Sequence, residues 1–386
     1  MKHLKIIAFN LFLTQIIFAQ FVPLKTILEV EGPINSNIAL GTGIKGLGDV
    51  NGDGKPDFAV SVWNAKKTYI YYGGAGILDG IADDSIPGGG MIEAGDLNGD
   101  GVLDLVIKAN GDTSYIDLLY VYFGKQTTGI KFDTIPNLIL REEKNGTDYG
   151  YNFALGDVND DGYEDLVIGA PQFESKGKIY VYLGGDTLMG VPNYTAIAET
   201  LCTDYGLTTR IGDINGDGIK DLLIGTWQKL FCSNDYGYVS YIDIYYGKQN
   251  FVFCKDSFDV RYNSKTVGQE DIFAFSIVDI NADGIKDIAF NGDSGKIYFI
   301  FGRKDSLSAF PNFFLQPYTD NLGTYFYDPL VVNVGDVNKD GKEDFVVRSY
   351  SGGTYCLHLF LGSFIPQSKW VAIRCKGGVN RAYDIV

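Results

Sequence analysis

Residues 157–165 read Asp-Val-Asn-Asp-Asp-Gly-Tyr-Glu-Asp. Counted from Asp157, oxygen-bearing side chains fall at positions 1, 3, 5 and 9 (Asp157, Asn159, Asp161 and Asp165), and Gly162 stands at position 6. A row of hard oxygen donors with a bend in its middle and a backbone carbonyl near position 7 suits calcium, which takes 6–8 oxygen ligands. The same phrase occurs five more times, as Asp49, Asn51, Asp53 and Asp57; Asp96, Asn98, Asp100 and Asp104; Asp213, Asn215, Asp217 and Asp221; Asp279, Asn281, Asp283 and Asp287; and Asp336, Asn338, Asp340 and Asp344. From first Asp to first Asp the steps are 47, 61, 56, 66 and 57 residues. Repetition at this period marks an architectural unit.

The loop is not an EF-hand, because position 12 is Val60, Ile107, Ile168 or Ile224 where a bidentate Glu would stand. Asn at position 3 limits each loop to three carboxylates at positions 1, 5 and 9, so one Ca²⁺ per repeat, up to six in all, leaves a site near −1. An affinity of about 10⁻⁴–10⁻³ M, that of extracellular modules, is expected. Six equivalent sites suit scaffolding better than catalysis, so the expected role of calcium is structural.

Each loop needs elements to hold its two ends. Position 9 is followed by strand-forming triplets such as Phe58-Ala-Val, Leu105-Val-Ile and Leu166-Val-Ile. Further on, each repeat has a second apolar run ending in glycine, such as Tyr120-Val-Tyr-Phe-Gly and Tyr180-Val-Tyr-Leu-Gly. A short apolar piece precedes the loop and a weaker one closes the unit. The expected fold is therefore all-β, a β-propeller of four-stranded antiparallel blades with six recognisable repeats. Residues 25–30 and 379–386 remain over, either as strands that lie against each other and close the ring or as halves of a seventh blade.

Tyr149-Gly150 followed by Ala-Leu-Gly-Asp-Val-Asn-Asp-Asp-Gly-Tyr-Glu-Asp-Leu-Val-Ile-Gly-Ala-Pro resembles the FG-GAP repeat of integrin α-subunit heads. In that family Phe-Gly and Gly-Ala-Pro flank a calcium loop in each propeller blade. The fourth repeat keeps Tyr205-Gly206 and Gly225-Thr-Trp, whereas the first, second, fifth and sixth keep the loop and lose Gly-Ala-Pro. The resemblance implies a propeller and calcium; it does not select a ligand.

The N-terminus carries Lys2 and Lys5, an apolar stretch over residues 6–18 and a small residue at Ala19. It reads as a signal peptide over 1–19, leaving 20–386 as one propeller domain that is secreted, extracellular or periplasmic. Loss of the two lysines moves the net charge from −16 to −18. Such acidity argues against nucleic acid as a partner, and no later run is long enough for membrane insertion. Five cysteines leave at least one unpaired, and Cys356 with Cys375, on successive expected strands, is the first pair to test.

The connections between second and third strands and between blades should share the rim away from calcium. Six residues past position 9 stand Trp63, Asn110, Pro171, Trp227, Asp293 and Tyr350. Trp63, Trp227 and Tyr350 either face an extracellular protein or glycan ligand there or pack between blades. The largest insertion on that rim follows Trp227. No catalytic residues are assigned, since the mature chain has one His, His358, on an expected buried strand, and no phosphate loop. The alternative of another class is a glycosidase or lyase using carboxylates such as Asp293 with Glu270 or Asp271.

Overall fold

The computed structural model describes residues 40–73, 82–110, 116–127, 129–187, 190–229, 238–264, 274–291, 296–304, 306–316, 325–326, 331–336, 340–351, 354–360, 370–375 and 384–385. The expected signal peptide, residues 25–30, and Asp293, Glu270, Asp271, Cys232 and Asn338 lie outside the described residues. So do the side chains of Asn110, Tyr350, Cys356, His358 and Cys375.

Six antiparallel sheets follow one another along the chain. In the third, Asn152–Gly156, Asp165–Ala170, Lys178–Tyr182 and Tyr194–Ile197 pair in sequence order. The second, Ile92–Gly95, Asp104–Asn110, Asp117–Tyr122 and Leu138–Arg141, inserts a small hairpin, Lys125–Thr127 with Gly129–Lys131, before its last strand. Successive sheets touch through their first strands, as blades packed around an axis must. The chain is a β-propeller of four-stranded blades, with no α-helix among the described residues.

Burial explains why the strands read as they do. Every residue of Asp165–Ala170 and Lys178–Tyr182 is buried, because neighbouring blades cover both faces of the middle strands. The outer strand Tyr194–Ile197 alternates instead between half-buried and exposed. Five apolar clusters sit one between each successive pair of blades. Between the second and third, for instance, Leu97, Val106 and Leu119 meet Tyr149, Phe153 and Ile168. A side chain such as Phe153, wholly buried, contributes on the order of 2–3 kcal/mol.

Two close approaches require glycine. A Cβ on Gly169 would stand 2.0 Å from the Gly206 carbonyl oxygen of the next blade, and one on Gly177 would stand 2.3 Å from the Tyr205 carbonyl oxygen. The Gly-Ala-Pro glycine of one blade thus admits the Tyr-Gly backbone of the next.

The structure bears on three sequence expectations. Within the tail, Asp384–Ile385 pairs with Phe313–Gln316, extending the fifth blade to five strands; the other residues of 379–386, like 25–30, lie outside the described residues. Trp227 does not sit at a strand end but within Asp221–Lys229, whereas Tyr350 stands one residue before the end of Asp344–Ser351. The reason is that the fourth blade is taller than its neighbour, with strands of 10, 9 and 8 residues against 5, 6 and 5 in the third. Three extra residues raise it by about 10 Å. Cys202 is in a disulfide and Cys254 is a free, exposed thiol; the backbones of Cys356 and Cys375 pair in register across two strands.

Candidate functional site: the aspartate loops and the opposite rim

Each aspartate loop joins the first strand of a blade to the second. In the first loop, Asp49 Oδ1 accepts the N–H groups of Gly52 and Asp53 at 2.8 and 3.0 Å, and its Oδ2 accepts that of Gly54 at 2.7 Å. Asn51 Oδ1 accepts the same Asp53 N–H at 2.9 Å, so the oxygens of positions 1 and 3 converge on one amide. Asp53 Oδ1 accepts the Lys55 N–H. The third, fourth and fifth loops repeat this pattern through Asp157, Asn159 and Asp161; Asp213, Asn215 and Asp217; and Asp279, Asn281 and Asp283. Asp96, Asn98 and Asp100 do so in the second, and Asp336 with Asp340 in the sixth.

Position 9 plays a different part. Asp57, Asp104, Asp165, Asp221, Asp287 and Asp344 are all buried. Except at Asp344, Oδ2 is seen to accept the N–H of position 2 and Oδ1 the N–H of the glycine that ends the third strand: Gly73, Gly124, Gly184, Gly247 and Gly302. This carboxylate ties three strands of its own blade together. Burial pushes the carboxyls of Asp104, Asp165, Asp221 and Asp287 up to about 7, against the amide hydrogen bonds that hold them down.

The loops also join blades. The carbonyl of position 1 accepts the N–H of position 8 in the next blade, Glu164 to Asp96 and Lys286 to Asp213, each at 2.9 Å. The carbonyl of position 2 accepts an N–H from beyond the next blade's third strand, as from Lys248 to Val158 at 3.0 Å.

Glycine at position 6 holds φ between 77° and 93° in all six loops, with open space where a Cβ would stand. Position 4 is left-handed as well, at Gly52, Gly99 and Gly216 but also at Asp160 and Ala282. That second bend was legible in three of the six loops. The donor set fits a hard cation: carboxylate and amide oxygens, each with lone-pair capacity beyond its one or two N–H partners. Among the described residues, no three His, Cys, Asp or Glu side chains gather as a metal-binding group.

At the other rim, Trp63 opens a short 3₁₀ turn, Trp63–Ala65, that Lys66 ends at φ 53°. Half-buried, its ring edge lies 2.9 Å from where a Gly90 Cβ would stand in the next blade. It also lines a cleft of about 240 Å³ with Lys66, Tyr120 and the backbone of Pro87, Gly88 and Gly89. Trp63 therefore both packs between blades and faces open space. Trp227 stacks on Tyr238 in its own blade, 4.3 Å between ring centroids and 12° between planes, with the Lys229 ammonium above it.

A propeller whose blades each carry an oxygen-rich loop between their first and second strands defines a class of repeat protein. The FG-GAP repeat family matches residues 149–182, and the FG-GAP-like repeat family matches residues 49–107. Integrin alpha-PS5 of Drosophila melanogaster is 33% identical over 150 residues, covering 36% of this chain and 14% of that protein. Human phosphatidylinositol-glycan-specific phospholipase D is 31% identical over 153 residues, covering 36% and 18%. Integrin alpha-4 of Xenopus laevis is 22% identical over 251 residues, covering 64% and 23%. Two stretches of the chain thus match FG-GAP repeat models and parts of it are similar to integrin alpha subunits; it spans less than a quarter of the length of these relatives.

Proposed function

We propose that the protein is an exported, calcium-stabilised propeller that serves as an extracellular ligand-binding or adhesion module. Residues 1–19 would be the signal peptide and 20–386 the single propeller domain. No helix among the described residues is long and apolar enough to cross a membrane. Names among the relatives, integrins above all, support the adhesion reading.

The observation that carries the proposal is the division of labour between rims. At one rim the aspartate loops make near-identical bonds that hold strands and blades together. The position 1, 3, 5 and 9 oxygens of each would hold one calcium ion, which offsets the three carboxylates the loop carries, one of them buried. At the other rim no such repetition holds, and Trp63 lines the cleft between the first two blades, where an extracellular protein or glycan would dock.

The test is a thermal melt of the mature chain with calcium and with chelator, beside a calorimetric count of bound calcium. A calcium-dependent rise in melting temperature with about six sites supports structural loops by mass action. No rise, or one or two sites, overturns the structural role. Trp63→Ala should weaken partner capture without lowering the calcium count.

A further inference from the structure

The link from the third blade to the fourth, running through Ala198, Glu199 and Thr200, overhangs a second cleft, of about 160 Å³, whose floor is the taller fourth blade. We propose that this cleft binds a neutral, hydroxyl-rich ligand: one sugar residue at the end of a glycan. The site is separate from the Trp63 cleft and does not depend on the function proposed for it.

Charge balance excludes other ligand classes. Among the side chains lining the cleft, Glu199 and Asp243 are matched by Lys255 and Arg261. Asp243, 1% exposed, is held in a fork by Arg261 at 2.5 and 2.7 Å, and the guanidinium lies 4.1 Å from the centroid of the Phe258 ring and 5.0 Å from that of Tyr241. Lys255 lies 3.0 Å from Asp256 and 4.0 Å from Glu199. With both cations and both anions engaged, no surplus charge remains to select an ion.

Polarity points to hydroxyl groups. Thr226 lines the cleft and is 92% buried by its 8% exposure, yet its Oγ1 has no hydrogen-bond partner. A buried hydroxyl left in this way is costly, and a ligand hydroxyl satisfies it as donor or acceptor. Beside it, the Thr200 and Thr203 hydroxyls lie 3.0 Å apart and Gln228 Nε2 donates to Thr200 Oγ1 at 3.1 Å, leaving the Gln228 carbonyl oxygen as an acceptor. An apolar ligand would strand these groups. The volume, below the 300–1,000 Å³ of drug-sized pockets, admits one small ring and not a chain.

The equivalent place between the second and third blades is filled from within. There Lys178 lies over the Phe173 and Tyr180 rings and pairs with Glu143 at 2.6 Å. The fourth blade's Thr226 stands where the third has Ala170 and the second Ala109, five residues past position 9 in each, so the hydroxyl at this place is not shared with the two blades before it.

The experiment is saturation-transfer NMR and titration of the mature chain with the methyl glycosides of glucose, galactose, mannose and N-acetylglucosamine, with glucuronate and methylammonium as charged controls. At least one methyl glycoside should bind and the charged controls should not. Thr226→Val and Gln228→Ala should each weaken binding about fivefold, while Trp63→Ala leaves it unchanged. Thr226→Val removes a hydroxyl without a partner, so its melting temperature should hold or rise, which separates lost binding from lost fold. No binding by any methyl glycoside, equal affinity in Thr226→Val and Gln228→Ala, or preference for a charged control overturns the proposal.

Discussion

At the scale of single residues, backbone conformation decides more than side-chain chemistry. Ala282 holds a left-handed φ of 59° at a position where three sister loops have glycine. A Cβ there costs about 1–2 kcal/mol, partly offset by the entropy glycine loses on folding. Ala282→Gly should therefore stabilise the chain by up to about 1 kcal/mol in a denaturant melt, whereas Asp160→Gly should change little, since Asp tolerates this conformation. Gly169→Ala tests the opposite case. Its Cβ would collide with the Gly206 backbone, and overpacking of this kind costs about 1–3 kcal/mol. A melting temperature equal to that of the parent chain would show that the two blades are not locked there.

Between elements, the same short-range phrase serves two purposes. Position 9 binds strands within a blade, and position 8 reaches across to the neighbour. Lys220 pairs with Glu164, and Lys286 with Glu343 at 2.7 Å, each bridging adjacent blades. Both members of the second pair are about one-third exposed, so solvent screens it. Lys286→Met should cost less than about 1 kcal/mol, and raising the salt concentration should shrink that difference. A loss several times larger would mean that the pair is far more shielded than its exposure indicates. These pairings were not legible in the sequence, because position 8 is Pro56 or Leu103 in the first two repeats and charged only in the rest.

For the whole molecule, amide hydrogen bonds from the second, third and fourth loops to the blade that follows would make calcium binding a property of the ring as much as of any one loop. Asp157→Ala should remove one site from the calorimetric count and lower the melting temperature of the chain in a single transition, with the shift vanishing in chelator. A separate early transition would instead show that blades melt one by one. The sequence by itself determined the repeat, the order of strands within each blade and the recurring loop oxygens, since these are fixed by spacings of nine residues or fewer and by strand propensity. It also placed Trp63 at a turn. Only the tertiary structure decided that position 9 is buried among amides, that Trp227 rides within a taller blade, and that the tail extends the fifth blade. It likewise decided that Thr226, Gln228 and Asp243 meet beneath the link between two blades. Such meetings join strands and links brought together by blade packing, and no local pattern records which faces that packing will leave open.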